Sequence, residues 1–242
     1  MSALEAGAED LVRGRDVLEL GSGVALGAVA AGKLGARSVL ATDGAPATVE
    51  IAQLNLKENL VVKAGGLEAM GANVLRWGEA EGVAAALARL QTLGRGSQAE
   101  AQAATGYGLV VGADCLYNLD AIDALAKTWD QVSKGARGGK ATLLMTMQTR
   151  VEGAEEAFEA ALLKHGGHRL RILPLSGEEC VAMIDRTAAA KAAGGGSAGG
   201  GEGEGHGGVA LQANLRMRCT QFEEYYKVLR VDRVDTEQQQ EL

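Results

Sequence analysis

The sequence predicts an α/β fold built on a seven-stranded, mostly parallel sheet with helices on both faces. Three observations lead there. Short β-branched or leucine-rich runs alternate with helical patterns along the chain. The first run leads straight into a glycine loop, Gly21-Ser22-Gly23-Val24-Ala25-Leu26-Gly27. An aspartate, Asp43, closes the second run about 20 residues later, the spacing of a ribose-binding acid.

The strands are expected at Val17–Leu20, Ser38–Thr42, Asn73–Arg76, Leu109–Ala113, Ala141–Met147, Arg169–Leu173 and Tyr225–Val231. Between the second and third, Pro46 suits the first turn of a helix, and Val49, Ala52, Leu56 and Leu60 recur near helical spacing. That segment reads as a crossover helix. Right-handed crossovers stack the C-terminal strand ends along one rim, so ligand chemistry is expected at Gly21, Asp43, Trp77 and Asp114. Two stretches read as insertions into a single domain spanning residues 1–242. Gly78 to Gly108 is Ala- and Gln-rich with a helix at Val83–Leu93, and Lys191 to Gly208 has too little apolar surface to order itself and reads as disordered.

Composition narrows the class. A formal charge of -7 and a pI near 5.1, without a Lys/Arg cluster, disfavour nucleic acid and suit a basic protein partner. Cys115, Cys180 and Cys219 lack CxxC spacing, and His165, His168 and His206 form no ligand set, so reduced thiols and no metal are expected. No signal-peptide pattern or apolar run of about 18 residues is present. The expectation is a soluble monomer in the cytoplasm or nucleus.

The glycine loop is specific only through its charge. A dinucleotide fingerprint GxGxxG requires glycine where this chain has Leu26. Glu19, two residues before the first glycine, would repel a pyrophosphate but suits the ammonium and sulfonium charges of S-adenosylmethionine. Asp43 is placed to accept hydrogen bonds from ribose hydroxyls. Trp77, after the third strand, either packs on an adenine or is a core ring at a strand end. Asp114 and Tyr117, after the fourth strand, either position an acceptor or serve as a helix cap and a half-buried phenol. Cys115 reads as a packed small hydrophobe, Trp129 as core, and His165 and His168 as surface turn residues.

Val17-Leu18-Glu19-Leu20-Gly21-Ser22-Gly23, Thr42-Asp43-Gly44, Val74-Leu75-Arg76-Trp77 and Ala113-Asp114-Cys115-Leu116-Tyr117, in that order, resemble the seven-strand protein-lysine methyltransferases. That group includes the calmodulin-lysine and elongation-factor-lysine enzymes. The resemblance runs from Val17 to about Leu173 and implies a Rossmann-like class I methyltransferase sheet, an S-adenosyl-L-methionine cofactor and a lysine side chain of a protein as acceptor. It further implies that Gly21, Ser22 and Gly23 touch the methionine part of the cofactor. Asp43 would take the ribose, Trp77 the adenine region, and Ala113 a backbone contact, with Asp114 and Tyr117 at the lysine entrance. Arg76 stands where many members have an acid. About sixteen residues precede the first strand, where the family usually carries a longer segment with a pocket-closing tryptophan, so either a truncated chain or a more open pocket is expected. A non-catalytic protein-binding scaffold and a small-molecule methyltransferase are the competing functions. An adenine-N6 enzyme is disfavoured, because no Asn/Asp-Pro-Pro-aromatic motif begins at Asp114.

Overall fold

A computed structural model describes residues 11–60, 69–92, 105–136, 139–148, 151–166, 170–175 and 226–233. The expected disordered segment at 191–208 lies outside them, as do Cys180, His168, His206 and Cys219. Seven strands form one sheet: β1 (Asp16–Leu20), β2 (Ser38–Asp43), β3 (Met70–Val74), β4 (Leu109–Ala113), β5 (Ala141–Gln148), β6 (Leu170–Leu175) and β7 (Tyr226–Arg233). Their order is β3-β2-β1-β4-β5-β7-β6, parallel except for β7, which runs antiparallel to both neighbours. Five helices are described: α1 (Leu26–Lys33), α2 (Pro46–Asn59), α3 (Ala80–Thr92), α4 (Leu119–Ser133) and α5 (Ala154–Gly166).

Every residue of β1 is buried, because helices cover both faces of a central parallel strand. Alternation along that strand divides the core. Val17 joins Val39, Ala41 and Leu109 against Ala28 and Val29 of α1 and Ala52 and Leu56 of α2. Leu18 and Leu20 face the other way, into a cluster with Leu90 of α3, Trp129 of α4 and Phe158 of α5. Pro46 stands in the first turn of α2, as its missing N–H permits.

The structure corrects three expectations. The third strand begins and ends earlier than Asn73–Arg76: Met70 to Val74 pair with Val39 to Asp43, and the ladder finishes where the Leu75 N–H donates to the Asp43 carbonyl at 2.9 Å. Trp77 therefore lies in the loop beyond the strand. The helix inside Gly78 to Gly108 buries Val83, Ala86 and Leu90, so this part of the segment is an integral crossover from β3 to β4 rather than an insertion. Residues 93–104 are outside the description. His165 belongs to the last turn of α5, not to a turn, with Nε2 3.0 Å from the Asp123 carboxylate on α4. Trp129 is core, at 1% exposure. Among the described residues, no helix is long and apolar enough to cross a membrane, and no cluster of His, Cys, Asp and Glu could hold a metal ion.

Candidate functional site

After β1 the chain steps outward through β2 and β3, then returns to place β4 on the other side of β1. Such a reversal leaves a crevice at the C-terminal strand ends, where ligands of open α/β sheets bind. Here that crevice is a cleft of about 490 Å³, within the ~300–1,000 Å³ typical of small-molecule sites. Four loops line it: Gly21 and Gly23 after β1, Asp43 to Ala45 after β2, Leu75 to Trp77 after β3, and Ala113 to Cys115 with Tyr117 after β4.

Backbone conformation shapes the first loop. Gly21 has φ +62°, and a Cβ there would lie 3.0 Å from Cys115 Sγ and 3.1 Å from Trp77 Cζ2. Only glycine fits. From the next loop, Asp43 Oδ2 accepts the Gly23 N–H at 3.1 Å and Oδ1 accepts the Ala45 N–H at 3.0 Å, which ties the glycine loop to the end of β2. Asn55 of α2 adds a bond from Nδ2 to the Val24 carbonyl at 2.8 Å. Thr42 contributes twice: its carbonyl accepts the Ser22 N–H at 2.8 Å, and its hydroxyl donates to the Glu19 carbonyl at 2.7 Å.

Glu19 and Ser22 are not among the cleft-lining residues. Each is more than nine-tenths buried beneath the loop. The Glu19 carboxylate turns towards the helix that follows and accepts the Gly27 and Ala28 N–H groups at 3.1 and 2.8 Å. These are orphan donors of the first turn of α1, whose own N-cap, Ala25, supplies no side chain. Gly27 makes room for it, since a Cβ there would sit 2.5 Å from Glu19 Oε1. Burial raises the Glu19 pKa from 4.5 to about 7, against the lowering effect of the two amide bonds.

A carboxyl raised in the folded state binds its proton more tightly there than in the unfolded chain. Stability is thus greatest below about pH 4.5 as far as Glu19 is concerned, and falls as pH rises towards about 7. Glu19→Gln should remove this slope, worth on the order of 3 kcal/mol. Urea unfolding at pH 5 and pH 8 checks it: the variant should gain on the wild type at the higher pH.

Past β4, Asp114 adopts φ +56°, a left-handed conformation that aspartate tolerates better than most residues, and its N–H donates to the Thr146 carbonyl at 2.8 Å. It does not cap the following helix. That role falls to Asn118, whose Oδ1 accepts the Asp120 N–H at 3.1 Å. Tyr117 is 63% exposed rather than half-buried. Cys115, 3% exposed, donates from Sγ to the Leu20 carbonyl at 3.4 Å, and burial pushes its pKa up to about 12. It is a neutral packing thiol in the wall of the cleft. Trp77 is partly buried, packs against the core and also lines the cleft.

The site thus brings together Gly21, Gly23, Asp43, Trp77, Ala113, Asp114 and Tyr117, and sets Glu19 and Ser22 below them. Gly44, Ala45, Leu75, Arg76 and Cys115 also line it but were not expected as site residues. Their adjacency to strand-terminal positions was the available signal.

A family model described as lysine methyltransferase matches residues 2–164 of the chain. No curated protein matches it in sequence. Among solved structures it is similar to the [4+2]-cyclase SpnF, with a TM-score of 0.50, 14% identity, and coverage of 96% of this chain and 85% of that one. A putative sarcosine dimethylglycine methyltransferase from Galdieria sulphuraria matches with a TM-score of 0.47 and 13% identity, over 93% of this chain and 80% of that one. SMU.776, a putative methyltransferase complexed with SAH, matches with a TM-score of 0.49 and 12% identity, over 95% of this chain and 47% of that one. At 14% identity the likeness to SpnF speaks for the fold alone.

Proposed function

The chain belongs to the lysine methyltransferase family and is an S-adenosylmethionine-dependent methyltransferase, and from that premise we propose that its acceptor is the side-chain amine of a lysine in another protein. The observation that carries this reading is the pair on the rim after β4: Asp114 lines the cleft, and Tyr117 stands exposed three residues further on.

The residues present fit the methyl donor. Asp43 offers about four lone pairs and uses two on the Gly23 and Ala45 amides, so acceptor capacity remains for ribose hydroxyls. Trp77 supplies a flat apolar wall, and Gly21 keeps backbone rather than side chain beside it. S-adenosylmethionine, when bound, would supply a sulfonium methyl carbon that a neutral amine attacks in line, so that the N–C bond forms as the C–S bond breaks, the neutral thioether leaves and the methylated amine gives up its proton to water.

The difficulty on the acceptor side is the proton. A lysine with pKa about 10.4 is roughly one part in 2,500 neutral at pH 7, a cost of about 4.6 kcal/mol. Asp114 favours the ammonium form, so its role is capture of the incoming lysine rather than removal of its proton. Tyr117, on the same rim, orients the amine through its hydroxyl. Catalysis then comes chiefly from alignment and from exclusion of water around the amine. The net charge of -7 suits delivery of a basic protein segment.

Tyr117→Phe should lower kcat by about tenfold, the worth of one hydrogen bond of roughly 1.4 kcal/mol. Its affinity for the methyl donor should not change, which initial rates and calorimetry separate. The acceptor itself is tested by incubating the chain with methyl-labelled S-adenosylmethionine and a cell extract, then hydrolysing the labelled protein. Label in methyllysine supports the reading. Label in small molecules alone contradicts it.

A further inference from the structure

Among the described residues that line the cleft, Arg76 is the only cation; the other charged side chains there are Asp43 and Asp114. Its stem lies against the end of β2, since a Cβ on Gly44 would stand 3.6 Å from Arg76 Cγ. Its guanidinium reaches the Glu79 carboxylate at 3.8 Å, and both side chains are more than half exposed. An ion pair so long and so open restrains the side chain weakly. A guanidinium carries several N–H donors, so this contact leaves donors for a ligand.

The strand order gives the cleft a direction, because its lining loops follow β3, β2, β1 and β4 from one end to the other. A methyl donor whose ribose is taken by Asp43 after β2, and whose reactive end meets Asp114 and Tyr117 after β4, has its base directed towards the loop after β3. That loop lines the cleft with Leu75, Arg76 and Trp77. Leu75 has no polar group, while a guanidinium and an indole N–H can only donate. Among the described lining residues, no side chain of this loop offers an acceptor.

We propose that Arg76 is a base-specificity residue of the methyl-donor site: its guanidinium donates to an acceptor on the purine edge, so the cleft does not select the 6-amino group of adenine. The inference rests on the methyl-donor reading and is independent of the acceptor.

The chemistry of the purine edge decides the sign. Adenine presents its 6-amino donor between the ring acceptors N1 and N7, so a guanidinium on either side makes one bond and meets the amino group donor to donor. Hypoxanthine carries a 6-oxygen instead. Beside N7 this makes two adjacent acceptors, as in guanine, which a guanidinium spans with paired bonds. A carboxylate at the same position would reverse the order, since it accepts from the amino group and repels the oxygen. Trp77 does not discriminate, because both bases offer a flat face to an aromatic ring.

The test is titration calorimetry of the full chain with S-adenosylhomocysteine and with S-inosylhomocysteine, its 6-oxo counterpart. The wild type should bind the inosyl ligand at least as tightly as the adenosyl ligand. Arg76→Glu should shift the ratio of the two affinities towards the adenosyl ligand by roughly tenfold, the worth of one purine-edge contact. Tighter binding of the adenosyl ligand by the wild type, or an unchanged ratio in Arg76→Glu, overturns the proposal while the donor reading stands. Failure of the wild type to bind S-adenosylmethionine and both of these ligands overturns the donor reading and the proposal with it. Arg76 is more than half exposed, so the variant should fold, and the wild-type comparison decides even if it does not.

Discussion

Gly21→Ala is expected to weaken S-adenosylmethionine binding on the order of a hundredfold while leaving a folded chain. Two costs combine at this position. An alanine at φ +62° carries about 1–2 kcal/mol of left-handed backbone strain. Its Cβ would also meet Cys115 Sγ at 3.0 Å and Trp77 Cζ2 at 3.1 Å, and such overpacking costs roughly 1–3 kcal/mol when side chains must shift. The thiol is hemmed in by the core and bonded to the Leu20 carbonyl, so the indole gives way more readily. Either movement deforms a wall of the cleft. A hundredfold loss corresponds to about 2.8 kcal/mol of binding free energy, which comes from the displaced wall, since strain carried by both the free and the bound protein cancels. Equilibrium dialysis with labelled donor measures it, alongside urea unfolding to establish that the variant folds. Wild-type affinity in the Ala variant would mean that Gly21 does not floor the site.

The largest effect on stability is expected at Trp129. Its ring is 1% exposed on α4, in the cluster formed with Leu18, Leu125, Phe158 and Leu229. The Arg233 guanidinium of β7 lies 5.2 Å from the ring centroid and donates to Asp130 Oδ1 at 2.6 Å. Trp129→Ala should therefore cost about 3–5 kcal/mol, the range for deleting a buried large aromatic. It also removes the surface on which Arg233 stacks, which loosens the join between α4 and β7. Because α4 begins directly after Asn118, the Tyr117 rim depends on this anchorage. Urea denaturation gives the number. A loss below about 1.5 kcal/mol would indicate that the ring is dispensable to the core, as volume-conserving swaps are.

How much of this was legible in the sequence depends on which force sets each feature. Central strands β1, β2 and β4 stand out because helices cover both their faces, so each carries consecutive apolar residues: Val17-Leu18, Val39-Leu40-Ala41 and Leu109-Val110-Val111. The edge strand β3 does not. Its burial is broken, with Gly71 buried and Val74 exposed, and the buried Leu75 beyond the ladder draws the apolar window two residues past the strand's end. The glycine loop is visible as a motif, and so is the acid two residues before it. Its direction was not legible: a carboxylate at that position can face a ligand or the helix amides, and only the absent Cβ of Gly27 decides for the amides. Asp114 and Asn118 are both good cap residues, and spacing alone does not choose between them. The structure chooses Asn118 and leaves Asp114 in the left-handed region on the cleft rim. The Arg233–Trp129 contact joins a strand and a helix residue 104 positions apart, with no local pattern to announce it.

The most direct test of the donor site is calorimetric titration of S-adenosylmethionine into the wild type and Asp43→Ala side by side. Asp43 is the side chain that both lines the cleft and holds the Gly23 amide, and hydrogen bonds to a charged group contribute about 1.5–3 kcal/mol each. The account predicts saturable binding in the wild type and at least a roughly tenfold weaker affinity in the variant. Equal affinity in the two proteins, or no heat from the wild type at millimolar ligand, would contradict it.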